Sequence, residues 1–259
     1  VLEEMNVNQC RLLERPVEYN IWRAPTDNDR YIKLKWQKAH YDITYSRAYQ
    51  TDYSVTAEGV RIHSVLAILS PVIQRILNME AEWLIGADGR VDVNLNVKRD
   101  TELPELPRFG LRLFLPKDME DVTYYGLGPV ESYCDKRRAS SHGTFTAHVT
   151  ELHEDYIRPQ ENGSHDDCDF VSLAGRRAGL TAAGDKTFSF NASVYTQEEL
   201  TEKDHNYELV RSPYTVLCLD YRMNGIGSNS CGPRLIEKYR LDEEEFSFGI
   251  SLIPEVKAE

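Results

Sequence analysis

Residues 161–167 hold the densest set of side chains able to do chemistry: Glu161, Asn162, His165, Asp166 and Asp167. Carboxylates beside a histidine can move protons near neutral pH. A facing pair of carboxylates roughly 5 to 9.5 Å apart is the equipment of glycoside hydrolysis. Asp166 and Asp167, however, are sequence neighbours, and neighbours on an extended chain point to opposite sides. The expectation is a solvated loop or a brace for the adjacent strand rather than a catalytic pair.

Three other segments cluster polar groups. In Ile21-Trp22-Arg23-Ala24-Pro25-Thr26-Asp27-Asn28-Asp29, the spacing suggests that Arg23 forms a charge-assisted network with Asp27 and Asp29, tying a strand to its loop. Calcium binding is the alternative, but two carboxylates fall short of the roughly six to eight oxygens that calcium takes. Between Tyr124 and Asp135, two glycines and a proline force tight turns, and Glu131 and Asp135 supply acceptors. Those acceptors could meet sugar hydroxyls, or pair with Arg137 or Arg138 and brace the loop. From Met223 to Pro233, Gly225, Gly227 and Gly232 allow positive φ and close approach to another surface, while Asn229 and Ser230 add adaptable polar groups.

The scaffold for these segments reads as strands. Val91, Val93, Leu95 and Val97 alternate with Asp92, Asn94 and Asn96, which places one apolar face on a half-buried strand. A turn at Ala87-Asp88-Gly89 joins it to Trp83-Leu84-Ile85 in a predicted hairpin. The alternation recurs in residues 60–68, at Leu111, Leu113 and Leu115, at Phe188 and Phe190, at Val216, Cys218 and Asp220, and at Phe246, Phe248, Ile250 and Leu252. Helical signals are few. Residues 31–40 read as a short helix or an irregular loop carrying Trp36, and Thr196 with Glu199 fits a capping box. The pattern is an all-β, antiparallel architecture in one domain over residues 1–259.

Composition narrows the function classes. A net charge of -12 and a pI near 5.1 disfavour a phosphate-binding surface, so no nucleic acid is expected, and a neutral or cationic ligand fits better. No apolar run reaches the roughly 18 to 20 residues of a membrane span. The start, Val1-Leu2-Glu3-Glu4, has neither an initiator Met nor the character of a signal peptide, and reads as a segment truncated at its N-terminus. Five widely spaced cysteines without a Cys-x-x-Cys pair suggest a reduced, cytoplasmic compartment and no zinc site.

Five ordered segments resemble the C-terminal domain of glycoside hydrolase family 2 β-galactosidases. They are residues 21–29; Leu106-Pro107-Arg108-Phe109-Gly110-Leu111; Tyr124-Tyr125-Gly126-Leu127-Gly128-Pro129 with Glu131, Ser132, Tyr133 and Asp135; Tyr156-Ile157-Arg158-Pro159-Gln160-Glu161-Asn162-Gly163; and Gly225-Ile226-Gly227-Ser228-Asn229-Ser230-Cys231-Gly232-Pro233. The resemblance implies an antiparallel β-supersandwich of the galactose mutarotase-like type. It also implies membership of an enzyme hydrolysing terminal non-reducing β-D-galactosides, whose catalytic glutamates lie on a separate TIM barrel. No glutamate here is therefore given a catalytic role, and the chain alone is expected to be inactive.

Asn229, Ser230 and Cys231 are the expected substrate-side residues. Many members of the family carry a Trp platform near Cys231, in a loop one residue longer. The implied partners are the remaining domains or a large subunit, the galactoside at a shared rim, and further copies in an oligomer. The resemblance implies no cofactor in this segment, the Mg and Na often used by the full enzymes lying in other domains. Two other readings stand beside this one. A free carbohydrate-binding module would use Trp22, Trp36, Tyr124 and Tyr133. An aldose 1-epimerase-like isomerase would pair His165 or His205 with Glu131 or Glu161.

Overall fold

The computed structural model describes residues 1–72, 75–227 and 230–256. Its organisation follows from one long strand. Two short strands, β1 (Asn6–Val7) and β2 (Cys10–Arg11), pair with each other, and the other described strands share one antiparallel sheet. In chain order these are β3 (Arg15–Asn20), β4 (Tyr45–Val55), β5 (Gly59–Leu69), β6 (Leu77–Gly86), β7 (Val91–Arg99), β8 (Arg108–Pro116), β9 (Asp121–Gly128), β10 (Ser141–His148), β11 (Ser164–Ala174), β12 (Ala178–Ser193), β13 (Tyr214–Met223) and β14 (Glu245–Val256).

The sheet divides at β12. Residues 178–184 pair with β14, whereas residues 189–193 pair with β13. Between them the ladder to β11 jumps from Cys168↔Phe188 to Phe170↔Ala183. Gly184 admits this kink, since a Cβ there would sit 2.2 Å from the Lys186 carbonyl oxygen. From β14 the order runs through β7, β6 and β5 to β4, and from β13 through β8 to β3. These two arms face each other. Phe109 of β8 packs edge-on against Phe246 of β14 at 5.0 Å, and Tyr221 of β13 stacks on the same ring at 4.7 Å. Trp83 Nε1 of β6 donates to the Tyr19 hydroxyl of β3 at 3.3 Å. A sandwich results, with β11, β9 and β10 continuing from the other edge of β12.

The predicted strands are all present. On β7 the four valine and leucine positions are buried while Asn94 and Asn96 are exposed, and the hairpin to β6 closes through Gly89 at φ 86°. β8 lies between β13 and β3 and is buried almost throughout. One continuous apolar cluster extends from Met5 to Leu252.

The segment around Trp36 is helical: α1 (Ile32–Lys38) buries that ring completely, with Nε1 donating to the Glu105 carbonyl at 2.8 Å. His40, at φ 55°, turns the chain out of it. The second helix, α2 (Gln197–Glu202), is capped by Thr196, whose hydroxyl accepts from Glu199 N at 3.2 Å. The reciprocal half of the predicted box is absent because the Glu199 carboxylate accepts from Val210 N instead. Among the described residues no helix is long and apolar enough to cross a membrane.

A candidate site around the glycine loop

The five motif segments converge on the end of the sandwich where β8 begins and β13 ends. β3 runs inward, so that Arg23 is fully buried. Its guanidinium forks onto Asp29, Nε to Oδ2 at 3.2 Å and Nη2 to Oδ1 at 2.8 Å. The remaining donors reach the carbonyls of Asn224 and Gly225, the latter at 3.1 Å. Asp29 also accepts from Thr26 N at 2.9 Å. Asp27 is not part of this network. Residues 27–30 form a tight 3₁₀ turn that sends positions 27 and 29 to different sides. Asp27 consequently meets the Gln160 side chain, whose Oε1 accepts from Asp27 N at 2.9 Å.

Past Gly225 the loop is held by two further side chains. Asp135 accepts from Ile226 N at 3.0 Å and from Gly227 N at 2.7 Å. Asn28 donates through Nδ2 to the Ile226 carbonyl at 2.9 Å and accepts at Oδ1 from the Ser230 hydroxyl at 3.1 Å. The loop glycines serve close approach and not unusual backbone angles. None of Gly225, Gly227 and Gly232 has positive φ, and a Cβ on Gly225 or Gly227 would come within 2.7 or 3.0 Å of Asp135 Oδ2. On the returning arm Arg234 donates to both oxygens of Glu105 at 3.1 Å. Asn224, itself buried, ties the base together: its Oδ1 accepts from Leu241 N and its own N–H donates to the Pro107 carbonyl, both at 3.0 Å.

Behind the loop, Arg108 lies buried between two carboxylates. It forks onto Asp220 at 3.0 and 2.5 Å and reaches both oxygens of Glu161 at 3.2 Å. Burial opposes the guanidinium charge, but Asp220 and Glu161 outweigh it and hold the pKa well above its ordinary value. For Glu161, burial raises the carboxyl pKa against the pull of Arg108 and Arg23.

The neighbouring Glu131 was expected to pair with Arg137 or Arg138, as was Asp135. Glu131 instead receives hydrogen bonds from Lys136 Nζ at 2.5 Å, Gly163 N at 2.8 Å and the Tyr156 hydroxyl at 2.9 Å. Burial is outweighed by these donors, and its pKa is lowered.

His165 stacks on Phe190 and shares a hydrogen bond with the Leu127 carbonyl at 3.0 Å, and burial lowers its pKa against the pull of that bond. Asp166 and Asp167 do not diverge as an extended chain would place them. Asp167 takes φ 57° within the β11 bulge, and both carboxylates reach Arg137, at 3.7 and 2.5 Å. The residues 161–167 cluster is thus divided: Glu161 meets Arg108, Asn162 accepts from Glu154 N and donates to the Gln160 carbonyl, His165 meets Leu127, and both aspartates meet Arg137. Of the three expected substrate-side residues, Ser230 is half-buried, Cys231 is exposed, and Asn229 lies outside the described residues.

Two competing readings lose their residues. Trp22, Trp36, Tyr124 and Tyr133 are all buried, which removes them as carbohydrate contacts. Neither isomerase pair is assembled: His165 is locked inside, and exposed His205 stacks on Tyr207 and meets Glu208 at 3.4 Å.

The family model described as β-galactosidase small chain matches residues 1–252. The chain belongs to the β-galactosidase small-chain family. It is 47% identical over 242 residues to the β-galactosidase of Actinobacillus pleuropneumoniae, covering 93% of this chain and 24% of that protein. With the β-galactosidase of Staphylococcus xylosus it shares 40% identity over 238 residues, covering 90% of this chain and 24% of that protein. The chain therefore spans about a quarter of the length of these relatives. Among solved structures, a galactose mutarotase-like protein from Lactobacillus casei aligns with a TM-score of 0.46 and 11% identity, covering 96% of this chain and 90% of that one. Galactose 1-epimerase from Lactobacillus acidophilus aligns with a TM-score of 0.43 and 11% identity, covering 81% and 67%.

In this small-chain domain the carboxylates around the loop hold structure. Asp29, Asp135, Glu161 and Asp220 each accept from a guanidinium or a backbone amide, and among the described residues no three His, Cys, Asp or Glu are placed to hold a metal ion. What the arrangement can do is present a loop in a fixed position. Sequence reasoning missed Asn28, Asn224 and Asp220 in this role. All three lie within segments read for other features, and the bonds of Asn224 reach the backbones of Pro107 and Leu241 and the Arg23 guanidinium, all distant in sequence.

Proposed function

We propose that this chain is the non-catalytic C-terminal domain of a β-galactosidase acting on terminal non-reducing β-D-galactosides. In this reading two glutamates elsewhere in the enzyme perform double displacement with retention. The glycine loop contributes the rim of their pocket, presenting Ser230 and Cys231, with Asn229 beside them. The observation that carries the proposal is the family match over residues 1–252, combined with relatives called β-galactosidases of which the chain covers 24%. The geometry supports it. Arg23, Asn28 and Asp135 hold the loop from one side while leaving Cys231 exposed on the other.

The test is hydrolysis of a chromogenic β-galactoside by the purified chain, alone and mixed with the remaining portion of the enzyme. Activity only in the mixture supports the reading; turnover by the lone chain overturns it.

A further inference from the structure

The outer face of β5, β6, β7 and β14 carries a groove of about 800 Å³ that shares no lining residue with the glycine loop. Register builds its floor. Val65, Glu80, Asn96 and Ser247 stand side by side across the four strands, and Asn78, Lys98 and Glu245 form the next row. One wall is Tyr49, which the bulge between Ala48 and Gln50 takes out of the β4 ladder. A bulge re-aims the extra side chain, and Tyr49 is left 47% exposed. The guanidinium carbons of Arg47 and Arg75 lie 5.3 and 5.2 Å from the centre of its ring. Arg75 holds φ 69°, a conformation that strains a residue other than glycine. Two backbone irregularities therefore meet at this groove.

Part of the groove's polar lining is already paired, Lys98 Nζ with Glu245 at 2.7 Å and the Ser247 hydroxyl with Asn96 Oδ1 at 2.8 Å. The lining side chains of Arg75, Asn78 and Glu80, by contrast, make no hydrogen bond or ion pair among the described residues. Their mixture selects a ligand class. An anion would meet the unpaired Glu80, a cation would meet the unpaired Arg75, and Lys98 and Glu245 already neutralise each other. A hydroxyl both donates and accepts, so a polyhydroxylated neutral molecule can satisfy guanidinium, amide and carboxylate together. A tyrosine ring adds a flat apolar surface with a polar tip, suited to the C–H face of a sugar. The groove also falls within the roughly 300 to 1,000 Å³ of small-ligand sites.

We propose that this groove binds a neutral oligosaccharide, separately from any sugar held at the glycine loop. Calorimetric titration of the purified chain with lactose and with a linear β-galactotetraose tests it. Millimolar binding is expected, tighter for the longer sugar. Tyr49→Ala and Glu80→Ala should each weaken it about tenfold, the equivalent of ~1.4 kcal/mol. Tyr49→Phe should retain the affinity, as should Asn28→Ala, which alters the glycine loop. Glu80 makes no side-chain hydrogen bond among the described residues, and Tyr49→Phe keeps the ring beside Arg47 and Arg75, so Glu80→Ala and Tyr49→Phe should leave the melting temperature unchanged. The proposal is overturned by absence of heat with either sugar, by unchanged affinity in Tyr49→Ala and Glu80→Ala, by loss in Asn28→Ala alone, or by equal binding of inorganic sulfate.

Discussion

Asp135 Oδ2 accepts a hydrogen bond from Gly227 N at 2.7 Å, and a Cβ on Gly227 would lie 3.0 Å from that same oxygen. The carboxylate and the absent side chain are two halves of one device. Removing either should release the loop. Asp135→Ala leaves the amides of Ile226 and Gly227 without their charged acceptor, a loss on the order of 2 kcal/mol. Amide exchange at those two positions should accelerate by more than tenfold while β8 and β13 keep their protection. Unchanged exchange at residues 226 and 227 would show that the loop does not depend on this carboxylate.

The buried Arg108 should be far less replaceable than either of its partners. Arg108→Met strands two carboxylates in the interior, and breaking a buried pair from one side costs about 3 to 5 kcal/mol. Glu161→Gln is a different case. An amide oxygen at position 161 can still accept from Arg108, and Asp220 keeps its fork on the guanidinium. Urea melts should order the variants as wild type, then Glu161→Gln close behind, then Arg108→Met well below. A Glu161→Gln loss equal to that of Arg108→Met would contradict this account.

The strands were legible because period-two alternation reports one buried face, as at Val91, Val93, Leu95 and Val97. Clusters of polar residues were harder to interpret. Asp166 and Asp167 looked divergent from sequence, yet a bulge and φ 57° turn both toward Arg137. Arg23 was rightly read as a brace, but a 3₁₀ turn selected Asp29 and excluded Asp27. The glycine loop stood out by composition, whereas its anchors did not. Asn28 and Asp135 act on backbone atoms 198 and 92 residues away, and no local pattern records such a pairing. Trp22 and Trp36, read as exposed by the binding-module alternative, pack edge to face at 6.4 Å inside the domain. Aromatic content alone does not tell a platform from a core.

Histidine 165 should make the domain acid-sensitive. Burial lowers its pKa below the ordinary 6.5, against the opposing hydrogen bond to Leu127 and the charge of Glu131. His153 is lowered by burial as well. On acidification below 6.5, the unfolded chain takes up these protons before the native one does. The contribution of these two histidines is therefore complete above that pH and falls as pH drops toward their native values. Glu131, lowered by its donors, extends the loss below 4.5. Unfolding free energies measured by urea at a series of pH values should decline through the first window, and His165→Gln should flatten that decline. An equally steep profile in the variant would assign the acid sensitivity elsewhere.

The thiols should separate into two classes. All five cysteines are free, with Cys231 exposed, Cys10 partly so, and Cys168 and Cys218 buried. Burial pushes the thiols of Cys134 and Cys218 up to about 12 and raises that of Cys168 further, so their thiolates are scarce at neutral pH. Cys134 also donates to the carbonyls of Met223 and Tyr239 at 3.6 and 3.8 Å, at the base of the glycine loop. An aromatic disulfide reagent at neutral pH should modify Cys231 first and Cys10 next, leaving the other three until the chain unfolds. Because Cys231 lies on the loop proposed to form the substrate rim, its modification should leave the melting temperature unchanged while lowering galactosidase activity in the assembled enzyme. Early labelling of Cys134 would show instead that the loop base opens in the native state.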